Sequence, residues 1–271
     1  MVTSLEASGI SRQERDIALC RSLLYEALAL GFSPPTSQTC RRLGTDSAAA
    51  ALSEAAAFLE GEEGMTLARR ARSLAAPAGT PCLEELSTSY QDLFGHTARG
   101  PVPPYETEYG DDTLLQKPQE MADIAGFFRA FGLVPDPAAR ERFDHVACEL
   151  EFLAFLSRKE AHALESGDAA MLEATRHATR LFLRDHLGRF APAFAQRLRR
   201  ENPGHFYGCL GDLLMEFVEA ECRRFHAPSG SASLRLRIDL DDKAPILCGG
   251  AEGCLPGACD GAGAVEHGEE G

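Results

Sequence analysis

Positive charge is scarce in this 271-residue chain: 27 lysines and arginines face 41 acidic residues, for a formal net charge of -14. Such a surface repels phosphate backbones and anionic lipid headgroups. Nucleic acid is therefore not an expected partner, whereas a basic peptide is. Long apolar runs are missing too. No stretch approaches the roughly 18 consecutive apolar residues of a spanning helix, and the first twenty residues carry mixed charge without the apolar run of a secretory signal. These absences predict a cytoplasmic protein with no stable membrane insertion. GxGxxG, a Walker lysine loop and HExxH are also absent, which leaves the common cofactor sites unsupported and predicts a chain that is not an enzyme. The nine cysteines include no CxxC pair. In a chain this long a hydrophobic core does not need disulfides. Six of the cysteines (Cys20, Cys40, Cys82, Cys148, Cys209 and Cys222) fall in helical text and are expected to be reduced and mostly buried.

What the sequence does contain is helix. Ser11-Arg-Gln-Glu14 has the form of a capping box, followed by Ile17, Leu24 and Leu28 on one face up to Gly31 and Ser33-Pro-Pro35. Alanine-rich text follows from Ser47 to Glu60 and from Met65 to Ala76, and Thr80-Pro81 has the form of a further start. Periodicity lapses from Gly95 to Lys117, where GPVPPYETEYGDD reads as an ordered loop. It resumes from Pro118 to Gly132, from Phe143 to the break at Gly167-Asp168, from Met171 to Leu187, from Phe190 to Arg200 and from Phe206 to Phe225. The segment Leu234–Leu240 alternates like one short strand without a partner. The expectation is an all-α fold: one helical-bundle domain over residues 1–228, followed by a flexible Cys- and Gly-rich tail over 229–271.

The stretch FDHVACELEFLAFL, Phe143–Leu156, concentrates the chemistry. At 100° per residue Val146, Leu150 and Leu153 form a core-facing stripe, and His145 and Glu149 fall on a neighbouring one that continues through Phe152 and Leu156. Two readings stay open on spacing alone. Asp144 is an N-cap, His145 and Glu149 pair on the helix surface and the phenylalanines are core; or Asp144, His145 and Glu149 form the acidic mouth of an apolar groove that takes arginines beside a hydrophobic run. Cys148 near Asp144, His145 and Glu149 also has the residue types of an enzyme, but no second motif orients a base.

Five blocks occur in order: YQDLF (Tyr90–Phe94), PPYETEYG (Pro103–Gly110), FRAFGL (Phe128–Leu133), DHVACELEFLAFL (Asp144–Leu156) and RDHLGRFAPAF (Arg184–Phe194). With them the sequence resembles the TorD/DmsD/NarJ family of redox-enzyme maturation chaperones. The resemblance implies a TorD-like helical bundle, a monomer or homodimer. Its implied partner is the catalytic subunit of a molybdopterin-containing oxidoreductase, bound through its twin-arginine leader or in its apo form. It further implies that Asp144 and His145 bind the leader opposite the Pro104-Tyr105-Glu106 turn, with Tyr25 at an aromatic position of the first helix. Joined to the spacing argument, the peptide-binding set becomes Asp144, His145, Glu149, Tyr105, Glu106, Phe152, Phe155, Leu156 and Tyr25. Arg142-Phe143 stands where many members carry Glu-Pro, and tryptophan is absent altogether.

In the tail, Cys248, Cys254, Cys259 and His267 supply soft ligands for zinc or an iron–sulfur cluster, against the plainer expectation of no cofactor and a reduced tail. A permanent accessory subunit of the oxidoreductase is the alternative role, ahead of a metal- or nucleotide-binding enzyme.

Overall fold

A computed structural model of the chain describes residues 2–61, 65–74, 83–95, 99–111, 116–134 and 141–237. The helices are α1 (Val2–Phe32), α2 (Ser37–Leu43), α3 (Asp46–Glu60), α4 (Thr66–Ser73), α5 (Leu83–Phe94), α6 (Gln116–Ala130), α7 (Val146–Ser166), α8 (Ala169–Asp185), α9 (Leu187–Glu201) and α10 (Phe206–Arg224), with a 3-10 turn at Glu106–Glu108. Among the described residues there is no strand, only isolated bridges, so the fold is all-α. No described helix is long and apolar enough to cross a membrane.

α7 is the axis of the bundle. α1 packs along its length, α8 and α9 flank it, α10 lies against α9, and α3 and α4 close the side next to α1 and α10. The stripe of Val146, Leu150 and Leu153 is fully buried, as the periodicity predicts. One aromatic group joins α1, α5, α9 and α10: Phe32, Phe94, Phe194 and Tyr207 meet mostly edge to face. A second joins α6, α7 and α8, with Phe128 stacked on Phe152 at 4.8 Å and Phe182 tilted against Phe152 at 4.8 Å. Burying a side chain of this size contributes about 1.5–3 kcal/mol, so these two groups hold the bundle together far more than any capping bond does.

The punctuation between helices matches the sequence. Gly167 ends α7 at φ +69°, a left-handed conformation open to glycine, and the Asp168 carboxylate then accepts from the Met171 amide to start α8. Gly132, at φ +71°, ends α6 in the same way.

Three expectations change. α1 is already helical when it passes Ser11, so that serine is interior rather than a cap; helix interiors accept serine at a small propensity cost. Of the cysteines in helical text that are described, only Cys222 is buried, and Cys20, Cys40, Cys148 and Cys209 are half-buried at the edges of the core. The helical body also does not stop at residue 228. Gly230 donates to the Gly188 carbonyl, Leu236 bridges Tyr109, and the Arg237 side chain is buried against Glu120, so residues 229–237 run along the body. The close approach at Gly230 needs a missing side chain: a Cβ there would lie 1.9 Å from the Arg189 carbonyl oxygen. The start at Thr80-Pro81, Cys82, residues 238–271 and with them Cys248, Cys254, Cys259 and His267 lie outside the described residues.

Candidate functional site

The PPYETEYG loop is strapped onto the N-terminus of α7. Val146 N donates to Pro104 O and Glu106 N to Asp144 O, both at 2.8 Å, which makes Tyr105 and His145 a short antiparallel bridge. Tyr109 pins the loop from inside, its hydroxyl donating to Pro103 O at 2.9 Å while its ring lies against Phe190. Residues 229–237 hold the far side: Gly110 N donates to Arg235 O and Arg237 N to Glu108 O.

This closure buries the residues that the sequence picked out. Asp144, His145, Glu149 and Glu106 are all fully enclosed. Asp144 is not the cap of α7. Its carboxylate accepts from Arg142, Nε to Oδ1 at 2.9 Å and Nη2 to Oδ2 at 2.7 Å, and from the Thr107 hydroxyl at 2.7 Å. Arg142 also donates to Thr107 Oγ1 at 2.8 Å, and its guanidinium carbon lies 4.6 Å from the centre of the Tyr105 ring.

His145 is the cap. Its Nδ1 accepts from Ala147 N at 3.1 Å, so the proton of the neutral ring sits on Nε2, which is buried without a partner. Burial, aided by the charge of Arg142, lowers this histidine to about 4 and keeps it neutral at pH 7. His145 and Glu149 thus form no surface pair despite their spacing of four. Cys148, half-buried one turn away, is pushed up to about 12 by burial and the nearby acids. A protonated thiol beside a histidine spent on capping is a poor nucleophile–base pair.

Glu106 and Glu149 share the space beneath the loop. Burial works to raise Glu106, but His186 Nδ1 at 3.1 Å from Oε2 and the Arg189 guanidinium at 2.6 Å from Oε1 outweigh it and hold the carboxyl below its ordinary value. Glu149 has no such cation of its own, and neither of its oxygens meets a donor. Burial first, then the charges of Glu106 and Asp144 and a hydrogen bond to Glu106, drive it well above the usual carboxylate range. Burial beside two other carboxyl groups thus favours the protonated form of Glu149. The cations continue outward: Arg189 and Arg237 share Glu120, at 3.3 and 2.9 Å.

The remaining predicted residues divide. Tyr105 is half-buried in the loop, at 5.3 Å edge-on to His145, its hydroxyl reaching Glu141 at 3.4 Å. Phe152 and Leu156 are buried, and Phe155 is half-buried beside Phe131. α6 covers the face on which an apolar groove was expected, with Phe127, Phe128 and Phe131 all packed against Phe152. Tyr25 is elsewhere, on α1, donating to Glu221 at 3.0 Å. An open cleft does adjoin the loop, about 390 Å³ in volume, walled by Pro34, Pro35, Tyr90, Pro104, Tyr105 and Glu141. A larger hollow of about 1070 Å³ lies between α1, α8 and the end of α10, over the Arg21 ion cluster and away from the loop.

Sequence reasoning did not single out Thr107, His186, Arg189, Glu120 or Arg237. His186 and Arg189 sit three apart within RDHLGRFAPAF, a spacing that puts two nitrogen-bearing side chains on one face at the start of α9, and this was the available signal. Arg237 had none. Among the described residues, no group of histidine, cysteine and acidic side chains is placed to hold a metal ion.

Comparison with known proteins fits this geometry. A family model described as nitrate reductase delta subunit matches residues 46–196, a span that contains the loop, the start of α7 and the His186–Arg189 pair. The chain is 32% identical over 139 residues to the chaperone protein TorD of Vibrio cholerae, covering 51% of this chain and 60% of that protein. It is 37% identical over 117 residues to the chlorate reductase assembly chaperone protein of Ideonella dechloratans, covering 43% and 55%. It is 35% identical over 117 residues to the selenate reductase assembly chaperone protein of Thauera selenatis, again covering 43% and 55%. The chain thus spans somewhat over half the length of the curated relatives it matches.

Proposed function

The chain belongs to the nitrate reductase delta subunit family, the TorD/NarJ group, and from that premise we propose that it is a chaperone for the catalytic subunit of a molybdopterin-dependent oxidoreductase. It binds the twin-arginine leader or the apo form of that subunit in the cytoplasm and holds it until cofactor insertion is complete. The observation that carries this reading is the junction of the PPYETEYG loop with α7, where the Asp144 and Glu106 carboxylates already hold arginine side chains beside an aromatic and proline-walled cleft. Carboxylates take guanidinium groups through charge-assisted, bidentate bonds, and Pro34, Pro35, Tyr90 and Tyr105 offer apolar surface to the residues that follow the arginines.

The same junction argues for binding rather than catalysis. Its ionisable groups are spent on one another: His145 caps a helix, Asp144 holds Arg142, and Glu106 holds His186 and Arg189. Titration of a synthetic twin-arginine leader into the wild-type protein should give a dissociation constant of about micromolar or tighter. Asp144→Ala should weaken it at least about tenfold, the equivalent of one charge-assisted bond. Equal affinities for the two proteins would remove Asp144 from the site.

A second reading is favoured by the family description itself, which is that of a subunit. In that case the protein stays with its oxidoreductase, and co-purification at fixed stoichiometry with the mature, cofactor-loaded enzyme would distinguish it from a chaperone that leaves.

A further inference from the structure

We propose that Asp144, Thr107 and Tyr105 form a seat for a single guanidinium group, that Arg142 of the chain itself fills this seat in the free protein, and that an arginine of the client enters by displacing it. The proposal rests on the leader-binding reading for the identity of the incoming arginine, but the seat itself is defined by contacts within this chain.

Arg142 meets Asp144 in the way a recognised arginine meets its receptor. Nε and Nη2 engage the two carboxylate oxygens separately, at 2.9 and 2.7 Å, and Nη2 is shared with Thr107 Oγ1 at 2.8 Å. The flat face of the guanidinium lies over the Tyr105 ring at 4.6 Å. A planar fork, a hydroxyl and an aromatic face together select guanidinium over ammonium, because a lysine cannot satisfy both oxygens and stack at once.

The burial is asymmetric, and this makes the occupant exchangeable. The Asp144 side chain is 0% exposed, whereas that of Arg142 is 46% exposed. Arg142 thus reaches a fully buried carboxylate while half of its own side chain stays in solvent. Leaving costs the arginine little, since half of it is already hydrated. The neighbouring pair differs: Arg189 is borne on α9, is 28% exposed, and is tied to both Glu106 and Glu120. Of the two arginines at this junction Arg142 is the more exposed, and Glu141, on the wall of the adjoining cleft, is next in line for a second arginine.

An occupied seat lowers the apparent affinity for a competitor in proportion to the time it stands empty. Arg142→Ala is therefore expected to bind a twin-arginine leader about tenfold more tightly than wild type, with the gain absent for a twin-lysine peptide and abolished by adding Asp144→Asn. A second measurement does not depend on any leader. The melting temperature of Arg142→Ala should rise in millimolar methylguanidine, not rise in methylammonium, and fail to respond once Asp144→Asn is added. Absence of methylguanidine rescue would overturn the seat. Rescue together with unchanged or weaker leader binding to Arg142→Ala would overturn the displacement. Rescue with no leader binding to either protein would leave the seat standing and overturn the leader-binding reading instead.

Discussion

Two buried ion clusters are mounted on α7, one at Glu149 and one at Glu160, three turns or about 16 Å apart along the helix. At the Glu160 end, Arg21 donates to Glu160 at 2.5 Å and to Glu221 at 2.7 Å, Tyr25 adds a bond to Glu221, and Arg176 returns to Glu160 at 2.6 Å. Each of these partners stands on a long helix: α1, α7, α8 or α10. At the Glu149 end the partners come from a loop, from the residues leading into α7, from the start of α9 and from residues 229–237. Both clusters stack an arginine on an aromatic ring, Arg21 on Phe225 at 4.5 Å and Arg142 on Tyr105 at 4.6 Å. Arg21 is enclosed, whereas Arg142 is half open to water. Helix-borne partners fix four elements to one another around an enclosed arginine, whereas at the loop the central arginine is open to water. The same chemistry thus forms a lock at one end of α7 and, on the function proposed above, a receptor at the other.

The sharpest way to break this contrast is Arg21→Met, which keeps volume but removes the enclosed cation that two buried carboxylates share. It should lower stability by about 3–5 kcal/mol in urea unfolding while leaving leader affinity unchanged. A loss below about 1 kcal/mol would show that the Arg21 cluster is no lock. Asp144→Asn should have the opposite profile. Its stability loss is smaller, about 1.5–3 kcal/mol for a charge-assisted bond, but it weakens leader binding at least about tenfold in calorimetry.

pH separates the two protonation states at the receptor end. His145 is lowered to about 4 in the fold, so between pH 6.5 and 4 the unfolded chain takes up the proton first and stability falls as pH falls. Glu149 is raised above its ordinary 4.5, so above that pH the unfolded chain loses its proton first and stability falls as pH rises, until the folded value is passed. Glu149→Gln removes the second effect at nearly unchanged volume. Its melting temperature should gain on wild type as pH rises above 4.5, and a parallel pair of curves would mean that the Glu149 carboxyl is not raised in the fold. The smallest change is expected from Tyr105→Phe. It loses only the long bond to Glu141 and keeps the ring under Arg142, so stability and leader affinity should move by less than about 0.5 kcal/mol.

Much of the bundle was legible in the sequence because helices are local. The Val146, Leu150 and Leu153 stripe, the Gly167-Asp168 break and the stop at Gly132 follow from a 3.6-residue period and from which residues tolerate a left-handed backbone. The residue types at the site were legible too. Their setting was not. Asp144, His145 and Glu149 look like a solvated helix end until a loop some 40 residues earlier and a segment over 80 residues later close over them. The spacing of His145 and Glu149 suggested a pair, but the cap of α7 turned the imidazole toward its own helix. The apolar groove foreseen along Phe152 and Leu156 is filled by the phenylalanines of α6, contacts that no pattern within α7 foretells.

The run of residues 229–237 along the body also fixes an order in time. The Arg237 guanidinium reaches the Thr107 carbonyl and Glu120 across 130 and 117 residues of sequence. During synthesis the loop and α7 emerge long before Arg237 exists, so the receptor end spends that interval without its outer clasp, while α1 and α7 are already able to pack. The outer clasp of the site is thus the last part of the described body to be finished.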